Sequence, residues 1–119
     1  MSATAVVFFC HGSRDPGWRA PFERIVDEYR RAHPGRAAHL AFLELMTPGL
    51  PEAIDRCVAD GHRDLRIVPL FLAPGAHTER DLPALVAAAR ERWPGLTVRI
   101  ESTLMESASV RAAVLESLG

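Results

Sequence analysis

Four short apolar runs alternate with four amphipathic stretches along the whole chain, and that alternation limits the fold more than any other feature. The runs are Ala5 to Phe9, Ala38 to Leu45, Leu65 to Leu72 and Thr97 to Glu101. The first three are nearly continuous apolar segments, the pattern of strands covered on both faces, and the last alternates. Between and after them, apolar residues recur at helical spacing. Trp18, Phe22, Ile25, Val26 and Tyr29 form one stripe, and Leu50, Ala53, Ile54, Cys57 and Val58 a second. Leu82, Leu85, Val86, Ala89 and Trp93 form a third, and Val110, Ala113, Val114 and Leu118 a fourth. Pro34-Gly35, Gly61 and Pro94-Gly95 stop the first three. Thr47 reads as an N-cap with Pro48 in the first helical position. Thr78 and Asp81 stand at capping-box spacing, with Pro83 in the first turn of that helix. Pro69 lacks an N–H and fits a central strand poorly, but the run around it is otherwise strongly apolar. The order βαβαβαβα implies right-handed crossovers and a mostly parallel four-stranded sheet with helices on both faces.

At 119 residues the chain is expected to be a single α/β domain, 1–119. Its net charge of −1 and pI near 6.5 give no electrostatic footprint for nucleic acid or an anionic membrane. All 14 basic residues are arginine, which suits carboxylate recognition but is explained for most of them by coding bias. Cys10 and Cys57 stand apart with no CxxC pair, so a zinc knuckle, a thioredoxin motif and a disulfide scaffold are disfavoured and both read as buried thiols. The first residues form no basic leader, and no apolar stretch approaches membrane-spanning length. A cytoplasmic protein is expected.

In a parallel sheet the C-terminal strand ends share one edge, so residues distant in sequence converge on one crevice. His11, Glu44 and His77 follow the first, second and third apolar runs. Strand alternation puts Cys10 in the core and His11 in the crevice, while Gly12 and Ser13 leave backbone amides near a helix start. Taken alone, His11 is better explained as a loop histidine. Glu44 between apolar neighbours is costly to desolvate unless paired with an arginine or bound to a cation. Gly75 permits a tight turn ahead of the third helix, and His77 sits at that helix's entrance. His33, His39 and His62 lack such a setting and read as solvent or loop histidines. Two histidines and a glutamate at three neighbouring strand ends point to metal chemistry, with ligand types that suit Co²⁺, Ni²⁺, Fe²⁺ or Zn²⁺.

Three ordered segments resemble a known family. His11 to Pro16 (HGSRDP), Phe42 to Ile54 (FLELMTPGLPEAI) and Pro69 to Pro83 (PLFLAPGAHTERDLP) are similar to the small sirohydrochlorin chelatases, the CbiX-type class II chelatases of cobalamin and siroheme synthesis. The third segment is the most specific, and the likeness covers nearly the whole chain. It departs from the family at Met105 to Ser109, where relatives carry a Gly/Pro-containing stretch. The resemblance implies a chelatase-like three-layer α/β sandwich corresponding to one half of the longer members. It also implies a metal site at His11 and His77 with Glu44 as the associated carboxylate. The implied activity is insertion of a divalent ion, Co²⁺ favoured over Ni²⁺ or Fe²⁺, into sirohydrochlorin. The ion is a substrate, no permanently bound cofactor is expected, and the implied unit is a homodimer around the tetrapyrrole. Ser13, Arg14 and the amides near Gly75 are the candidate anchors for substrate carboxylates.

Two other readings compete. A histidine phosphatase would use His11 as nucleophile, but the chain lacks the Arg-His-Gly order that sets an arginine on the phosphate. A metal or tetrapyrrole carrier would use the same ligands without turnover.

Overall fold

The computed structural model describes residues 4–119, without the side chains of residues 76–79. Four parallel strands form one sheet: β1 (Ala5–Cys10), β2 (Ala38–Phe42), β3 (Asp64–Pro69) and β4 (Thr97–Ile100), in the order β2-β1-β3-β4. The helices are α1 (Ala20–Ala32), α2 (Leu50–Ala59), α3 (Ala76–Arg92) and α4 (Ala108–Ser117), with single 3₁₀ turns at Pro16–Arg19 and Leu104–Glu106. All three strand pairings are parallel, as the alternating order requires.

β1 is central and buried on both sides, so its alternate residues build two cores. Val7 and Phe9 face α2 and α3, where Ile54, Cys57, Leu82 and Val86 close the larger core. Val6 and Phe8 face α1, where Val26 and Tyr29 complete a smaller one. This gives the three layers. Both cysteines are buried and unbridged, as expected. No helix among the described residues is long and apolar enough to cross a membrane.

The open edges of the sheet are covered in the same way on both sides. Arg30 at the end of α1 donates to the carbonyl of Ala38 on β2, and Arg90 of α3 donates to that of Val98 on β4 at 3.2 Å. Each arginine occupies an acceptor that would otherwise invite a foreign strand. On the α2 and α3 side, Trp93 Nε1 donates to Asp55 at 2.9 Å, tying the two helices together.

Several boundaries differ from the expectations. β2 stops at Phe42 and β3 at Pro69, each three residues early, because the chain must turn to enter the crossover. The helix α2 starts at Leu50, not Pro48. Phe42 N–H donates to the Pro48 carbonyl at 2.9 Å, so residue 48 is still paired with the strand end. Gly49 is the N-cap, and its N–H donates to Glu52 Oε1 at 3.3 Å. The helix α3 starts at Ala76, which leaves Pro83 inside it and not in its first turn. The expected Thr78 cap falls on a side chain outside the described residues. Trp18 belongs to a 3₁₀ turn and not to the α1 stripe, and Ile25 is 40% exposed, so the buried face of α1 narrows to Val26 with flanking contacts. The helix α4 forms where its stripe predicted but buries no residue.

His39 is also not a loop histidine. It lies in β2 with Nε2 buried and without a hydrogen-bond partner. Burial first, and the Arg30 and Arg56 charges next, hold its pKa below the ordinary imidazole value. The unfolded chain therefore takes up this proton at higher pH than the fold does, and stability should be lost as pH falls below about 6.5. Thermal melts by circular dichroism between pH 8 and pH 5.5 check this. His39→Leu should flatten part of that decline, and an unchanged profile would contradict it.

Candidate functional site

The crevice is built on the C-terminal end of β1. Cys10, the last strand residue, is 1% exposed, and the next residue, His11, points out of the sheet with its side chain 51% exposed. This is the alternation expected of a pleated strand. Burial, then the Glu44 charge, pushes the Cys10 thiol up to about 12 while Arg19 opposes them, so it stays a neutral thiol.

His11 is held from three directions. Its carbonyl accepts from Trp18 Nε1 at 2.7 Å, which fixes the backbone where it leaves the sheet. Its Nδ1 lies 3.4 Å from Glu44 Oε1. The Phe71 ring, from the segment after β3, packs at 4.5 Å between centroids against the imidazole. The side chains of His11 and Glu44 are 51% and 44% exposed. A polar contact so open to water adds at most about 1 kcal/mol of stability. Glu44 also escapes the desolvation cost that its apolar neighbours suggested, because the chain has already left the sheet at Phe42.

Loop nesting makes the His11 and Glu44 contact possible. Leu43 N–H donates to the Cys10 carbonyl at 2.8 Å, which carries the β1 and β2 pairing one step beyond the strands. Gly12 then packs directly on the Glu44 backbone, where a Cβ would lie 1.7 Å from the Glu44 carbonyl oxygen. The next turn is tight. Met46 N–H donates back to that same carbonyl at 2.8 Å, with Leu45 between them at φ 66°. This left-handed γ-turn on a leucine costs about 1–3 kcal/mol and leaves the side chain 59% exposed.

The HGSRDP loop is held by its own polar groups. Asp15 N–H donates to Ser13 Oγ at 3.0 Å, and Gly17 N–H donates to Asp15 Oδ1 at 2.9 Å, which caps the 3₁₀ turn. Arg14 is exposed on this loop. Arg19 donates to the Thr47 carbonyl at 3.2 Å with its guanidinium 5.1 Å from the Phe42 ring centre, joining the loops after β1 and β2. Gly75 is exposed immediately before α3. His77 is the second residue of that helix, further past its strand than the apolar run implied, and its side chain lies outside the described residues. The structure thus brings His11 and Glu44 together, and among the described residues no third His, Cys, Asp or Glu joins them. Sequence reasoning missed Trp18 and Phe71 as supports, since both read as core aromatics, and missed the steric role of Gly12.

These features define a parallel α/β sandwich with a histidine and a carboxylate at the C-terminal edge of its sheet. The chain belongs to the CbiX family, whose model matches residues 5–119. A curated relative, the sirohydrochlorin cobaltochelatase of Methanopyrus kandleri, is 34% identical over 87 residues, 73% of this chain and 61% of its own. A CbiX protein of Marinobacter aquaeolei VT8, assigned to cobalamin biosynthesis, superposes with a TM-score of 0.85 at 26% identity over 98% of this chain and 94% of its own. The sirohydrochlorin chelatase SirB of Bacillus subtilis subspecies spizizenii, solved with cobalt, superposes with a TM-score of 0.82 at 27% identity over 99% of this chain and 50% of its own. The chain therefore spans under two thirds of that curated relative's length and half of the SirB chain.

The nested loops give a sharp expectation. Gly12→Ala should destabilise the protein by about 1–3 kcal/mol, since the atom it meets is backbone and cannot swing away. Gly17→Ala, whose Cβ would lie 3.4 Å from a side-chain oxygen, should cost under about 0.5 kcal/mol. Urea unfolding midpoints at constant m-value compare them, and equal midpoints would refute the steric argument.

Proposed function

We propose that this protein inserts a divalent metal ion, Co²⁺ in preference to Ni²⁺ or Fe²⁺, into sirohydrochlorin. The observation that carries the reading is the exposed His11 and Glu44 pair at the C-terminal edge of the sheet, in a chain of the CbiX family. The names of its relatives favour cobalt. Free buried thiols suit the reducing cytoplasm, where we place the protein.

The geometry of the His11 and Glu44 pair supports the following roles. With Glu44 on Nδ1, that nitrogen keeps the proton and Nε2 carries the lone pair available to the ion, the carboxylate orienting the ring as in other histidine metal sites. Phe71 packed on the imidazole limits its rotation. His77, at the start of α3, is the proposed second imidazole. Pyrrole nitrogens then replace water and protein ligands on the ion, and the two inner N–H protons must leave. Glu44, half in water, can accept them one after the other and pass each to solvent. Ser13 Oγ already accepts a hydrogen bond, so its hydroxyl proton is the part left to offer a substrate carboxylate. Exposed Arg14 and the amides near Gly75 are proposed to bind others. A carrier would hold the same metal without turnover, so product beyond one equivalent per chain excludes it. Phosphatase activity without added metal would instead favour a nucleophilic His11.

His11→Ala and His77→Ala should each abolish cobalt insertion, followed by the absorbance change of sirohydrochlorin under anaerobic conditions. Far-ultraviolet circular dichroism should stay at wild-type level because neither side chain is expected in the core. Near-normal rates in both variants would remove the site. Glu44→Gln should lower turnover more than it lowers Co²⁺ affinity, and unchanged turnover would contradict its role in proton transfer.

The working unit is proposed to be a homodimer with the two crevices facing across one tetrapyrrole. Pockets usually cover most of a ligand's surface, and the loops of one sheet edge line only one side of a flat macrocycle. Two further observations support the reading. The chain corresponds to half of SirB, and α4 carries Val114, Leu115 and Leu118 at 46%, 68% and 78% exposure, available for burial against a second copy. Light scattering should give about twice the 13.1 kDa chain mass, with activity falling on dilution as dimers dissociate. Full activity from a monomer would end the shared-pocket proposal.

A further inference from the structure

The loops on either side of His11 follow one pattern. After β2, Glu44 reaches His11, and the next residue, Leu45, is 59% exposed. After β3, Phe71 packs on His11, and the next residue, Leu72, is 68% exposed. In the strand order β2-β1-β3 these two loops lie one on each side of His11. Adjacent strands are about 4.8 Å apart, so the two leucines leave strand ends separated by about 10 Å with the histidine between them.

Neither leucine is placed there to fill a core. Leu72 is anchored through its backbone, since its carbonyl accepts from Met105 N–H at 2.8 Å while its side chain points to water. Leu45 occupies a position at φ 66° where glycine would relieve the turn, yet a branched apolar residue stands there and gains little burial. An exposed leucine held at φ 66° beside the His11 and Glu44 pair offers an apolar surface at the mouth of the crevice. His11 and Glu44 themselves offer nothing to the apolar face of a conjugated ring.

We infer that Leu45 and Leu72 are substrate-positioning residues: they carry the face of the flat macrocycle and hold its centre over His11. The inference rests on the proposed chelatase reading and assigns the apolar half of that substrate's recognition. The carboxylate rim would be read separately, by the HGSRDP loop and the start of α3. Centring the ring matters because metal transfer requires the pyrrole nitrogens to meet an ion held at one fixed point.

The test uses the full-length protein and sirohydrochlorin itself, titrated anaerobically without metal and followed by quenching of macrocycle fluorescence. Leu45→Gly and Leu72→Ala should each weaken sirohydrochlorin binding about tenfold, as loss of one apolar contact surface predicts. The same variants should raise KM for sirohydrochlorin by more than they change kcat. Co²⁺ affinity by calorimetry should match the wild type, and Leu45→Met should restore sirohydrochlorin binding to within about twofold. Leu45→Gly should melt no lower than the wild type, because it relieves the turn. Wild-type sirohydrochlorin affinity in either variant overturns the inference, and so does a parallel loss of Co²⁺ affinity, which would mark a purely structural role. A wild-type protein that binds no sirohydrochlorin would remove the chelatase reading itself, an outcome distinct from variants that bind as tightly as the wild type.

Discussion

The close approach of Gly12 to the Glu44 carbonyl is the constraint on which the site depends. A parallel sheet brings strand ends to one edge, but it leaves neighbouring strands about 4.8 Å apart and their loops free to diverge. Here the loops after β1 and β2 are pressed together until no Cβ fits between them. The Leu43 to Cys10 hydrogen bond, the turn at Leu45 and the Trp18 bond to the His11 carbonyl all lie within a few residues of that contact. Together they place an imidazole and a carboxylate side by side without a buried charge to hold them.

The division of labour between sheet and loops follows from the same geometry. Every residue of β1 is buried, and its alternate side chains supply both cores. One residue later the chain is half in water. The cost of exposing His11 and Glu44 is small, and so is what their mutual contact returns, which leaves the stability of the fold to the layers beneath. Among the described residues, Leu45 is the non-glycine residue at positive φ, and it stands beside Glu44 and away from the core.

The edges of the molecule tell a second story. Arg30 and Arg90 each occupy one outward backbone acceptor of an outer strand from the helix that precedes it, which blunts β2 and β4 as templates for a foreign strand. Apolar side chains are also exposed on and just after α4, beyond the last strand, where Val114, Leu115 and Leu118 face water.

Much of this was legible in the sequence, for definite reasons. Period-two and period-3.6 patterns reflect which faces are buried, so the four strands, the four helices and the direction of the sheet followed from the pattern of apolar residues. Strand alternation alone separated Cys10, in the core, from His11, in the crevice. What the pattern could not supply was anything decided by contact between distant segments. Gly12 read as an ordinary loop glycine until the Glu44 backbone lay against it. Phe71 read as core and is buried there, whereas Trp18 is 40% exposed, and an aromatic's sequence neighbours do not say that it will also brace a histidine. His39 read as solvent-exposed because a single histidine inside an apolar run gives no sign of which way it faces. Pro48 read as a helix start, since its pairing with Phe42 exists only after the chain has folded back. Local sequence determined which elements form and which residues stand at their ends. The tertiary structure decided which of those residues touch, because contact depends on loop paths and close approaches between segments 30 or more residues apart.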